Sequence, residues 1–343
     1  MRMRATALAL LLLTIASVSS AQGYDFLVRQ AESKIAAGSW EDALALYEKA
    51  FETGEFNQSD FYNAAIAYVH LDKPDMGYSY LKKAVHAGFL DRERLKQDTD
   101  LAALREGEEW QSVMASVDQE RKSLEKACPE TRAAGPLVDL PAPRLESAVS
   151  VEEALQNRRS IRSYREEPLT LAEVSQLLWA AYGITKTMEG LPAFVRGGFR
   201  AAPSAGARYP LDIYLAAFNV DGLPAGIYLY QSETHQLMRV VEGDTRSEIS
   251  KAAFNQSHFE TASAAIIYSA VFERTMVKYG KRGRERYVCM DLGHSAENVY
   301  LQAYALRIGT CAIGAFTDLW LKKACGMTRA EEPLYIMPLG KME

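Results

Sequence analysis

The chain has 343 residues, long enough for two domains at roughly 150 residues each. Its 48% hydrophobic and 24% charged content is that of a folded globular protein, and a net charge of −5 offers no overall attraction to nucleic acid or to an anionic membrane. Four cysteines without a C-x-x-C pair and five scattered histidines lack the spacing of a zinc site, so no metal is expected.

The first 21 residues read as a cleaved signal peptide. Arg2 and Arg4 give a positive start, residues 5–18 are almost wholly apolar, and Ser19-Ser20-Ala21 offers small residues before a mature start at Gln22. The apolar run is shorter than the roughly 20 residues a span needs, so export to the periplasm or exterior is expected rather than a membrane anchor. Neither a lipoprotein cysteine after the run nor a twin-arginine pair before it is visible.

Residues 22–125 then form a helical domain containing a repeat. Gly38, Ala43, Tyr47 and Ala50 are followed 34 residues later by Asp72, Gly77, Leu81 and Ala84. Ser39 is the expected cap of the helix beginning at Trp40. The pattern resembles a tetratricopeptide module with a degenerate second copy, since Pro74 stands where the first copy has Trp40. Residues 89–110, with the turn Asp98-Thr99-Asp100-Leu101, resemble the C-terminal end of such an array. A plain helical hairpin is the alternative, because three repeats are usually needed for stability.

Residues 126–147, rich in Pro, Ala and Gly and without periodicity, read as a linker. From 148 to 343 helices and strands mix. Thr170-Leu171-Ala172-Glu173 is a capping box opening a helix with Leu171, Val174, Leu177, Leu178 and Ala181 on one face. Strands are expected at 211–218, 226–230, 264–269 and 334–339, and a long helix from Tyr287 to Arg307, stopped by Gly309. The fold class is α+β, a sandwich with an antiparallel or mixed sheet. Cys289 and Cys311 lie in apolar segments and are expected in the core.

Three clusters carry possible chemistry. In Arg158-Arg159-Ser160-Ile161-Arg162, extended backbone puts Arg158, Ser160 and Arg162 on one side, a donor set suited to phosphate. A solvated face would use the same residues. Pro203-Ser204-Ala205-Gly206-Ala207-Arg208-Tyr209-Pro210 combines small residues with amides and a hydroxyl, which suits a flat ring or an ordinary loop. Gly309-Thr310-Cys311-Ala312-Ile313-Gly314-Ala315-Phe316 again permits close approach, by a ligand or by another backbone.

These clusters, with Lys278-Tyr279-Gly280, Gly293-His294 and Glu331-Glu332-Pro333-Leu334-Tyr335, resemble the successive signatures of the nitroreductase superfamily, most closely its SagB-type dehydrogenases. The resemblance covers residues 148 to the end. It implies a homodimer binding FMN, an oxidoreductase working by two-electron hydride transfer at flavin N5 on a small organic substrate. Carried over by position, Arg158, Arg159, Ser160, Arg162 and Lys341 would hold the phosphate and ribityl chain. Pro203, Ser204, Ala205 and Gly206 would lie along the ring, and the backbone at Gly314 or Ala315 would face N5. Lys278 and Tyr279 match a pair implicated in proton removal by azoline-forming members; a solvated basic loop is the plainer reading. His294 is expected to be a core or interface residue. Ala207 stands where many nitroreductases have Asn, which departs from their pyrimidine contact. Two other functions stay open: modification of a peptide presented by the repeats, and a non-catalytic interaction protein.

Overall fold

The computed structural model describes residues 23–24, 26–53, 56–187 and 189–342, and the expected signal peptide lies outside the described residues. The chain divides into two units, one ending at Ser123 and one beginning at Leu124.

In the first unit residues 26–36 are helical, and helices Trp40–Phe51, Gln58–His70 and Pro74–His86 follow. The 34-residue offset recurs in the backbone, where Gly38 and Asp72 both take left-handed φ, 72° and 55°. Ala43, Tyr47, Ala50, Leu81 and Ala84 are fully buried. A Cβ on Gly77 would come within 3.1 Å of Val69 Cγ2, so the missing side chain sets how closely two helices approach. Ser39, expected to cap, makes no capping bond with its side chain; its backbone N–H goes to Lys34 O at 2.9 Å. Glu41 and Asp42 in the first turn meet the positive helix end instead. Asp98 opens the 3₁₀ turn Thr99–Leu101 by accepting the Asp100 N–H at 3.0 Å.

The second unit is built on one antiparallel sheet. Its strands are β1 (Leu137–Asp139), β2 (Leu211–Ala217), β3 (Gly226–Gln231), β4 (Gln236–Glu242), β5 (Ala264–Ala270), β6 (Ile308–Thr310) and β7 (Glu332–Lys341). Their order across the sheet is β1-β4-β3-β2-β5-β7-β6. An antiparallel sheet commonly keeps one wet face, but β2 and β5 are mostly apolar, with Asp212 and Ser269 as their polar members, because both faces are covered. Ile213, Leu215, Ile266 and Tyr268 share a core with helices Leu171–Tyr182 and Val288–Ala305. Tyr214, Ala216 and Ile267 pack with helices Arg246–Ala252 and Asp318–Ala324. Leu177 and Leu178 are fully buried, and truncating either to Ala costs about 2–5 kcal/mol. The expected capping box is present: Thr170 Oγ1 accepts the Glu173 N–H at 3.3 Å and Glu173 accepts the Thr170 N–H at 2.9 Å.

The structure differs from the sequence reading at three points here. The stretch read as a linker supplies β1, whose Leu137, Val138 and Asp139 pair with Met238, Leu237 and Gln236. A three-residue edge strand is too short to display alternation. The long helix ends at Ala305, and Arg307 takes φ 56° after it. Gly309 is not its stop but lies in β6, where a Cβ would sit 2.8 Å from Ile161 Cγ2. Cys289 is exposed while Cys128, Cys311 and Cys325 are buried, and all four are free. The buried stripe of its helix runs through Val288, Leu292, Ala296, Val299 and Ala303, which turns Cys289 outward. Among the described residues no helix is long and apolar enough to cross a membrane, and no group of His, Cys, Asp or Glu is arranged to hold a metal.

Candidate active site

Helix Val288–Ala305 is the platform on which the separated motifs meet. Asp291 stands in its first turn and is 2% exposed. Its Oδ2 accepts the Ser204 hydroxyl at 2.5 Å and its Oδ1 accepts the Ala205 N–H at 3.1 Å. Burial pushes the Asp291 carboxyl above its usual range, against the pull of Ser204, the Ala205 amide and His294. Ser204 Oγ in turn accepts the Tyr209 N–H at 2.8 Å. The loop so pinned has φ of 61° at Gly206, 54° at Ala207 and 47° at Tyr209, with Arg208 right-handed between the last two; three left-handed residues so close together need a well-braced turn.

Lys278 and Tyr279 arrive at this loop from helix Glu273–Tyr279. A Cβ on Gly206 would lie 2.5 Å from Tyr279 Oη and 2.9 Å from Lys278 Nζ, so glycine is needed there for close approach as well as for φ. Lys278 Nζ sits 5.1 Å from the centre of the Tyr279 ring, and Tyr287 packs edge-on against that ring at 4.9 Å. Gly280, at φ 56°, ends the helix, and a π-helical turn, Gly283–Tyr287, leads into the platform. Such turns recur at functional sites.

Nine residues beyond Asp291, about 13 Å along the helix axis, Tyr300 gathers the other two clusters. Its hydroxyl lies 3.2 Å from Ser160 Oγ and accepts the Ala312 N–H at 2.7 Å, while the Arg158 guanidinium sits 5.3 Å from its ring. The Ile161 N–H bonds Thr310 O at 2.9 Å. Arg162 is exposed beside His258 and Cys311. Burial first, and the Arg162 charge second, pull His258 down to about 4, so this histidine is neutral at pH 7. Neither Arg158 nor Arg162 forms an ion pair among the described residues.

Other candidates stand apart. Arg159 donates to the backbone carbonyls of Gln156, at 3.0 Å, and Arg158, at 2.7 Å, so its guanidinium is turned to its own segment. Lys341 Nζ is held by the Glu173 carboxylate, which also accepts Thr170 Oγ1 at 2.9 Å. Burial works against the charge on Glu173, yet Lys341 and Thr170 outweigh it and hold the carboxyl below its usual range. Gly314 and Ala315 are exposed, two and three residues past Ala312, and a Cβ on Gly314 would lie 3.6 Å from the Tyr335 ring. No hydrogen bond among the described residues ties them to residues 203–206. His294 is exposed rather than a core residue. The residues missed in the sequence are Asp291 and Tyr300. A signal for the first existed: Asp291 and Ser295 are buried polar residues four apart in an otherwise apolar stripe.

An antiparallel sheet covered on both faces, with a small-residue loop braced on one long helix, defines an α+β enzyme scaffold rather than a repeat protein with an appendage. The Nitroreductase family profile matches residues 155–341. A nitroreductase-like protein of Methanocaldococcus jannaschii is 39% identical over 207 residues, 60% of this chain and 98% of its own. The microcin B17-processing protein McbC of Escherichia coli is 25% identical over 41% of this chain and 54% of its own length. The trifolitoxin-processing protein TfxB of Rhizobium leguminosarum is 31% identical over 31% of this chain and 30% of its own. A nitroreductase-like crystal structure from Ralstonia eutropha superposes with a TM-score of 0.52 at 26% identity, over 63% of this chain and 97% of that one. The chain belongs to the nitroreductase family, and its second unit is a nitroreductase-family oxidoreductase.

Proposed function

We propose that this protein is an exported, FMN-dependent oxidoreductase of the SagB-type branch, acting on a small organic substrate as a homodimer in the periplasm or outside the cell. The observation that carries the reading is the pairing of two unlike ends on one helix. At one end lie guanidiniums without ion pairs beside Ser160 and Tyr300; at the other, a glycine cradle faces Lys278 and Tyr279. The residues fit the cofactor: the Thr310 hydroxyl and His258 Nε2, beside this arginine group, are buried polar atoms without a protein partner. Arg158, Ser160 and Arg162 would hold the phosphate, and residues 203–206 would lie along the ring. Arg159 and Lys341, engaged elsewhere, would contribute through backbone or field rather than as free donors.

FMN supplies two-electron hydride exchange at N5 when bound. The protein's part is to orient the substrate and handle its proton. Lys278 Nζ and the Tyr279 hydroxyl both stand at Gly206, where they would receive the proton that leaves the substrate carbon. The first unit, as a tetratricopeptide-like module, would recruit a partner. A peptide substrate presented by that module is the second reading, favoured by the two relatives named as processing proteins.

Purification from an export-competent host, followed by an absorbance spectrum, tests the central reading. One FMN per subunit is expected, and a colourless protein that takes up no FMN on titration overturns it. Lys278→Ala should keep its flavin and slow oxidation of a C–H substrate by roughly 10²-fold or more, as loss of a positioned base does. Unchanged turnover removes Lys278 from the reaction.

A further inference from the structure

The arginines nearest the 203–210 loop in space are not those of the Arg158 group. Arg132, Arg196, Arg200 and Arg274 line a cavity of about 310 Å³ on the sheet side of that loop. Their charges are unevenly met. Arg274 takes both oxygens of Asp212 at 2.8 Å, and Arg196 reaches the same carboxylate at 3.3 Å. Arg132 is paired with Glu331. Arg200, only 6% exposed, forms no ion pair among the described residues. It lies over the rings of Tyr182 and Tyr209 at 4.7 and 4.8 Å, and donates to Ser232 Oγ at 2.6 Å and Arg196 O at 3.1 Å.

Three buried N–H groups of this set, Arg132 Nη1, Arg196 Nε and Arg200 Nε, have no acceptor among the described residues. A buried guanidinium without a counter-charge is costly, and bracing the loop does not require one. The bracing is done by other atoms: Arg196 Nη2 donates to Tyr209 O, and Arg274 Nη1 donates to Pro210 O at 3.2 Å. Glu233 lines the cavity but is exposed and makes no ion pair with Arg200.

We propose that this cavity binds a small oxyanion, a carboxylate or phosphoryl group, whose negative charge is met by Arg200 and by the guanidinium charge that Asp212 and Glu331 leave unmatched among the four arginines. Burial lowers the Arg200 pKa from its usual value, as expected of a cation lacking its counter-ion. The occupant is distinct from the flavin phosphate, since none of Arg158, Ser160 and Arg162 lines this cavity. Its binding is felt at the ring-side loop, because Arg196 and Arg274 grip the carbonyls of Tyr209 and Pro210.

The test is thermal unfolding and calorimetry of the full chain, flavin-loaded as purified, in chloride against inorganic phosphate, acetate and succinate at constant ionic strength. A saturable stabilisation by phosphate or by a carboxylate, beyond that of chloride, is expected; which of the two saturates identifies the ligand group. Arg200→Lys should weaken it about tenfold or more, because the planar fork is lost while the charge stays. Excess free FMN should leave it unchanged, and that competition separates this site from the Arg158 group. Glu233→Gln should tighten it about two- to threefold by removing a negative charge at the rim. Absence of any saturable response, survival of the response in Arg200→Lys, or its loss on adding FMN overturns the proposal. Should Arg200→Lys not fold, unchanged affinity in Glu233→Gln does so.

Discussion

Two stretches dock on helix Val288–Ala305, and they are built on opposite plans. Residues 158–162 leave the charges of Arg158 and Arg162 without ion pairs among the described residues and touch the helix mainly through Tyr300. Residues 203–209 consume their polar groups internally, on Asp291, on Ser204 and on the guanidinium of Arg196, and hold three left-handed residues in place. One end offers free charge and asks little of the fold; the other offers a shape and depends on the fold for it. Mutations at the first should therefore change affinity, and mutations at the second should change structure.

The largest effect expected at the charge end is on flavin alone. Two charge-assisted contacts at about 1.5–3 kcal/mol each make Arg158→Ala with Arg162→Ala roughly 10²- to 10⁴-fold weaker in FMN binding. Its melting temperature without flavin should match that of the flavin-free parent. Retained flavin, or a large loss of stability, breaks the contrast.

At the shape end Asp212→Asn should cost about 3–5 kcal/mol in urea unfolding, because Arg274 and Arg196 lose their shared carboxylate. Burial works to raise the Asp212 pKa, but the bonds and charges of Arg274 and then Arg196 prevail and hold it below its usual range. A depressed carboxylate stabilises above its unfolded pKa of about 3.9, and that stability is lost as pH falls through the lower folded value. The parent and Asp212→Asn should thus converge in strong acid. A gap that persists there assigns the loss to packing instead.

Gly206→Ala is a smaller change in stability, about 1–2 kcal/mol for the left-handed backbone. Its added Cβ would have to displace Tyr279 Oη from 2.5 Å. Turnover should fall further than flavin affinity, and equal losses in both would mean that Tyr279 has no part in the reaction.

Asp291→Asn is the smallest, within about 1 kcal/mol at pH 7, since the amide oxygen still accepts the Ala205 N–H and no charge is buried. Burial is what raises the Asp291 pKa, so the folded state holds its proton more tightly than the unfolded one. The stability tied to it is full below the unfolded carboxylate pKa and declines as pH rises through the folded value. The asparagine variant should lack that slope in a pH series of melts. Asp291→Ala, which strands the Ser204 hydroxyl and the Ala205 amide, should cost about 1–3 kcal/mol.

What could be read in advance was what local pattern encodes. Thr170 and Glu173 are three apart, and the capping box follows from that spacing alone. The strand at Ala264–Ala270 was readable from its apolar run, though the run did not disclose that helices cover both faces. The resemblance points to segments that the structure gathers on helix Val288–Ala305, but not to which side chains remain available in them. Arg159 and Lys341 look like phosphate donors in the sequence, yet one is folded back on its own backbone and the other is taken by Glu173.

The periodicities, the Thr170–Glu173 capping box and the family follow from residue order alone, because each rests on residues within a few positions of one another or on motifs in fixed order. Tertiary structure alone decided that Lys278 and Tyr279 meet Gly206, that Asp291 rather than a neighbour of the loop pins Ser204, and that four scattered arginines surround one cavity. Pairings of that kind depend on how sheet and helices pack, and on which buried charge finds a partner first. No spacing along the chain records either.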